Sequence, residues 1–295
     1  MSFVYKRVTI PLDCLKSLWT LSLSKNEWGG RFKVREDMYL DCNLDLIKGT
    51  TKQEEVGENS HLYLGEEAYD ENRRLKPVKM ASLSFSYEDY TGTSPQKINV
   101  IFHTHPLLLV RDDDTHIARI ALPSLGDLFA HCVYSNLENH QVNGHLNGYI
   151  VVAFEGAYVY NIMPHKFAQL RETYDRLLKQ HTQDDAIDIL KKQVFDALRP
   201  INKRFFSDMK AMCDARPDLF GTEGAPDIQD SMWTCKGCEP HELDFPFAEG
   251  IHTPLVRTYA RNNPFTRGIA LHGFQCEFFP APFTSDLSFI VPTTC

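Results

Sequence analysis

The run Lys97-Ile-Asn-Val-Ile-Phe102 leads directly into His103-Thr-His-Pro106, and this junction constrains the fold more than any other segment. A short run of β-branched residues favours an extended strand, and Pro106 prevents its simple continuation as a central strand. The two histidines therefore stand at a strand's exit. Residues two apart on a strand project from the same face, which separates the two by roughly 7 Å and lets both imidazoles turn toward one metal ion. Taken alone, the pair is more readily read as two histidines bonded to backbone or water.

The flanking segments read as a mixture of helices and strands. Leu15, Leu18 and Trp19 recur at helical spacing within 12–23, and Ser24 and Asn26 break the pattern before Glu27. Phe32, Val34, Met38 and Leu40 alternate roughly over 31–41, so a strand is expected to begin at Glu27. Weaker strands are expected near 61–64 and 80–87. Pro123-Ser-Leu-Gly-Asp127 opens a helix expected to run through Tyr134, and 149–154 with 157–162 reads as a hairpin turning at Glu155-Gly156. These elements make an α/β unit over 1–164.

After His165 the period becomes helical. Phe167, Leu170, Tyr174, Leu177 and Leu178, then Ile187, Leu190, Val194 and Leu198, predict helices up to Pro200, and a further helix is expected over 201–215. A helical extension is thus assigned to 165–220. The region 221–295, rich in Pro, Gly and aromatic residues, reads as irregular and packed against the first unit.

Bulk properties exclude several classes. A hydrophobic content of 43% over 295 residues supports a core. A net charge of −8 argues against a nucleic-acid partner, because that binding rests on clustered Lys and Arg. Lys6 and Arg7 interrupt the apolar start, and Glu155 and Gly156 interrupt the most apolar stretch, so neither a secretory signal nor a membrane span is expected. An intracellular, cytoplasmic protein follows as the expectation. The eight cysteines are scattered, which favours reduced thiols over a disulfide framework.

Ser124 and Asp127 lie three apart at a helix start. That spacing suits a helix cap, and it equally places both side chains near one face of the first turn. Two imidazoles and one carboxylate form the three-ligand set of a catalytic zinc, with a fourth position left for water. Glu27, in a turn, is by itself an ordinary solvated charge.

Taken together, Asn26-Glu27-Trp28-Gly29-Gly30, Phe102-His103-Thr-His-Pro106 and Leu122-Pro123-Ser-Leu-Gly-Asp127 resemble the signature of the JAMM/MPN+ metalloisopeptidases, in the family's order. The resemblance covers residues 5–164. It implies an MPN-type, cytidine-deaminase-like fold: a curved mixed sheet flanked by helices, here followed by the helical and irregular extension. It implies Zn²⁺ held by His103, His105 and Asp127, with Glu27 as general acid/base and Ser124 as oxyanion donor. Zinc lowers the pKa of its water to near 7, so a carboxylate can take the proton as that water attacks a carbonyl. The implied reaction is hydrolysis of the isopeptide bond between ubiquitin or a ubiquitin-like modifier and a lysine. In the family the modifier's C-terminal tail lies in the cleft as an added strand. A partner subunit is compatible with the family, as are a non-catalytic scaffold and a peptidase for another small protein or peptide.

One departure is the sixteen residues between Pro106 and Pro123, longer than the family's usual spacing. This insertion reads as a flap over the cleft or a solvated bulge. It carries Asp112-Asp113-Asp114 and His116, a competing ligand candidate. A second metal site is suggested by Cys235-x-x-Cys238 with His241, its fourth ligand coming from His252, His272 or Cys276.

Overall fold

The structure is a computed structural model. It describes residues 3–22, 26–54, 78–83, 85, 90–91, 98–105, 108–111, 115–119, 123–137, 140, 146–153, 155–215, 228–229, 232–236 and 264–294. In chain order the elements are β1 (Phe3–Ile10), α1 (Leu12–Ser22), β2 (Trp28–Phe32), β3 (Ile47–Lys48), β4 (Thr50–Glu54), β5 (Val78–Ser82), β6 (Val100–Thr104), β7 (Leu108–Arg111) and β8 (Thr115–Arg119). Then follow α2 (Leu125–Phe129), a π-helical turn (Ala130–Ser135), β9 (Gly148–Ala153), β10 (Gly156–Ile162), α3 (Pro164–Leu177) and α4 (Gln183–Ala215). The chain ends with β11 (Ile228–Gln229), β12 (Met232–Lys236), α5 (Pro264–Ala270), β13 (Phe274–Pro280) and β14 (Leu287–Thr294).

Among the described residues, a mixed sheet orders its six strands β13-β10-β9-β6-β2-β3. Only β6 and β9 run parallel in it. A strand covered on both faces needs apolar residues at both parities, and β6 and β9 are buried throughout. Ile101, Tyr149, Val151, Tyr158 and Tyr160 face one core, shared with α2, α3, α4 and α5. Val100, Phe102, Ile150, Val152 and Val159 face a second core, shared with β1, α1 and β14. Fully burying a side chain such as Phe102 contributes about 2 kcal/mol. The site thus sits on a sheet that is anchored from both sides.

The irregular character expected of 221–295 does not extend to 264–294. There, β13 pairs with β10 along Gly156–Ile162 and β14 pairs with β1 along its whole length. Asp286 accepts a hydrogen bond from Leu12 N, capping the first turn of α1 at 2.9 Å. The C-terminal strands are integral to the sheets because alternating residues of β14, Leu287, Phe289 and Val291, are buried in the second core.

Three local expectations are corrected. The strand expected over 31–41 stops at Phe32: the chain turns back at Glu36-Asp37-Met38, with Met38 at φ 67°, and Val34 bridges Leu40. The helices expected on either side of Pro200 are one helix, α4. Proline deletes one helical N–H, but Leu198 and Asn202 are buried on either side of it and Ile201 packs on Gly268 of α5, so packing holds the helix through. The helix expected through Tyr134 changes to π geometry at Ala130.

In the described residues the insertion is strand rather than a bulge: β7 and β8 form an antiparallel hairpin in the middle of a second six-stranded sheet, ordered β11-β12-β8-β7-β5-β4. Asp112, Asp113 and Asp114, like the strand expected near 61–64, lie outside the described residues. Among the described residues, no helix is long and apolar enough to cross a membrane.

Candidate metal centre

The parity of β6 decides where the histidines point. His103 shares its face with Ile101, so it projects toward the helices rather than toward β1 and α1. His105 follows the strand's last residue, and its N–H donates to Val152 O at 3.0 Å, extending the pairing with β9 by one bond. Both side chains are buried, at 3% and 4% exposure.

Asp127 arrives from the first turn of α2. Ser124 is the N-cap: its Oγ accepts from Asp127 N at 3.0 Å, and Asp127 Oδ2 accepts from Ser124 N at 2.7 Å. The capping box fixes the Asp127 side chain as it satisfies two helix-end donors. The cap and the ligand position are therefore the same geometry. The carboxylate comes within 3.5 Å of His103 Nε2 through Oδ1 and within 3.2 Å of His105 Nε2 through Oδ2.

The two Nε2 atoms are 3.0 Å apart. Ligands at 2.0–2.1 Å from a tetrahedral zinc lie about 3.3 Å from one another. The two imidazole nitrogens, 3.0 Å apart, are close to that value, and one ligand atom from each of His103, His105 and Asp127 lies within 4.8 Å of the others. The three residues can hold a metal ion. Burial raises the Asp127 carboxyl, but the attraction of His103 and His105 outweighs it and holds the group well below the usual carboxylate range. The carboxylate is therefore anionic.

Glu27 immediately precedes β2, the strand that pairs with β6. Gly29 pairs with His103 across the antiparallel β2/β6 ladder, and continuing this register by two residues sets Glu27 opposite His105. Two bonds fix the backbone there: Trp28 N donates to Thr104 Oγ1 at 3.0 Å, and Gly49 N donates to Glu27 O at 2.8 Å. Residues directly opposite in such a ladder share a face. Gly29 itself is required, since a Cβ there would stand 2.3 Å from Leu83 Cδ2 and 2.8 Å from Phe102 O.

The structure adds a residue that sequence reasoning passed over. His131, in the π-helical turn and 5% exposed, lies edge-on to His103 with ring centroids 5.0 Å apart. Its Nδ1 shares a 2.6 Å hydrogen bond with the Tyr160 hydroxyl, and its ring stacks on Tyr149 at 5.2 Å. Burial, reinforced by His103, lowers its pKa to about 3, so it is neutral. The available signal was its place four residues after Asp127, which puts both on one helix face.

The other candidates lie elsewhere. His116 is on β8, paired through the backbone with Cys235 of β12 in the second sheet. Cys238, His241 and His252 lie outside the described residues. His272 ends the turn after α5, and Cys276 sits on β13 against the helix-side core. Comparison of the chain with protein-family models, with curated proteins and with solved structures found no match.

Proposed function

We propose that the chain is a zinc-dependent isopeptidase of the JAMM/MPN+ kind, acting on lysine conjugates of ubiquitin or a ubiquitin-like protein. The observation that carries this reading is the convergence of His103, His105 and Asp127 from a strand exit and a helix start, in the order of that family's signature. The mixed sheet with helices packed on it suits the MPN-type fold.

In this reading the three residues hold Zn²⁺, which supplies Lewis acidity toward a carbonyl and a water at neutral pH. Glu27 takes the proton from the attacking water and returns it to the departing lysine amine. Its place two residues before Gly29, which pairs with His103, supports that role. Ser124 Oγ accepts from Asp127 N, which leaves its own hydrogen to donate to the carbonyl oxygen as charge develops.

The test is incubation of the purified chain with ubiquitin and ubiquitin-like isopeptide substrates, with and without a zinc chelator. Chelator-sensitive release of free modifier is expected. A chain that binds zinc stoichiometrically and cleaves none of them removes the isopeptidase assignment.

A further inference from the structure

His131 is buried among aromatic rings, yet it carries a polar contact that packing alone does not need. Replacing both partners of a buried hydrogen bond by apolar groups of similar shape is nearly neutral or stabilising. The hydrogen bond between His131 and Tyr160 therefore calls for another reason. It holds one ring orientation, because Nδ1 is tied to Tyr160 and one face lies against Tyr149 with an interplanar angle of 12°. Tyr149 is itself held through its hydroxyl by Ser135, whose Oγ donates to the carbonyl of His131. Side chains from β9, β10 and the π-helical turn thus close around one imidazole. Beside Phe85 and Tyr90, the ring also meets His103 at 68°, and His103 in turn meets His105 at 63° with centroids 4.8 Å apart.

A histidine ligand must keep its ring plane so that the nitrogen lone pair points at the ion, and rotation about its outer side-chain bond swings that nitrogen away. We propose that His131 is a positioning residue for His103, with Tyr160 setting the orientation of His131. This rests on His103 being a metal ligand, as proposed above. The π-helical turn suits the role: it places His131 one turn beyond Asp127, so one short helix supplies both a ligand and the support of another.

The test compares wild type with Tyr160→Phe and with the double variant His131→Phe/Tyr160→Phe, which keeps the rings and removes the polar pair. Zinc affinity is measured by competition with a chromogenic chelator, and the cobalt(II)-loaded proteins are compared by visible absorption. Both variants are expected to lose about 10-fold in zinc affinity, the lower end of the range for removing a ligand's hydrogen-bonded support, since His131 meets His103 by ring contact. The cobalt bands are expected to change shape in both, while thermal unfolding of the metal-free chain changes little in the double variant and falls in Tyr160→Phe, which strands His131 Nδ1. Wild-type affinity and spectrum in both variants overturn the inference and leave the metal centre standing. Failure of the wild-type chain to bind zinc or cobalt overturns the metal centre, and this inference with it.

Discussion

Gly29 lies directly across the β2/β6 ladder from His103, and the space where its side chain would project is filled by Leu83. Gly29→Ala forces the 83–85 segment or β2 to move. Overpacking of this kind costs about 1–3 kcal/mol. The expected outcome is a lower unfolding midpoint in denaturant together with weaker zinc binding, since β2 braces the strand that carries His103. A variant of wild-type stability would show that Leu83 yields freely.

Asp127 serves two purposes that one substitution separates. Asp127→Asn keeps an oxygen to accept from Ser124 N but loses the charge that faces the two imidazoles. Zinc content should fall to near zero with the stability of the metal-free chain little changed. Asp127→Ala should lose the metal and also about 1 kcal/mol of helix stability. Stoichiometric zinc in the Asn variant would take Asp127 out of the ligand set.

Glu27→Gln keeps size and hydrogen-bonding capacity but cannot accept a proton. Turnover should fall by a factor on the order of 10² to 10⁴, with zinc and substrate affinity close to wild type. Loss of zinc in this variant would make Glu27 a ligand, and undiminished turnover would end its assignment as the base.

Ser124 combines a structural and a chemical role in one hydroxyl. Ser124→Ala removes the N-cap acceptor and should cost about 1 kcal/mol, whereas glycine at an N-cap costs only a few tenths. Ser124→Gly should therefore stay close to wild type in thermal unfolding. Its turnover should still drop on the order of 10²-fold if the hydroxyl donates to the developing oxyanion. Equal turnover in wild type and Ser124→Gly would reduce Ser124 to a cap.

The β7/β8 hairpin links β12 to β5 within the second sheet. Replacing 108–119 by a short linker should detach those strands, seen as new protease-sensitive sites between 50 and 82 and between 228 and 236. Zinc should stay bound, because His103, His105 and Asp127 come from β6, the residue after it and α2, none of them in the hairpin, and KM for isopeptide substrates should rise. Unchanged kinetics on every substrate would make the hairpin a structural element only.

Features set by short-range geometry were legible in the chain itself. The β-branched run before His103 and the halt at Pro106 predicted a strand exit, and the three-residue spacing of Ser124 and Asp127 predicted a helix cap. Both follow from periods of two and of three to four residues, which any short segment carries. The tertiary structure decided what those segments meet. That His103 faces α2 to α5 rather than α1 depends on which cores cover the two sides of β6. That β14 pairs with β1, and that His131 rests on Tyr149 and Tyr160, depends on partners from 18 to 291 residues away. The insertion became a hairpin because β5 and β12, distant in sequence, offered it edges to pair with. Such contacts are stabilised by burial and pairing gained only when the whole sheet assembles, so no local pattern of residues encodes them.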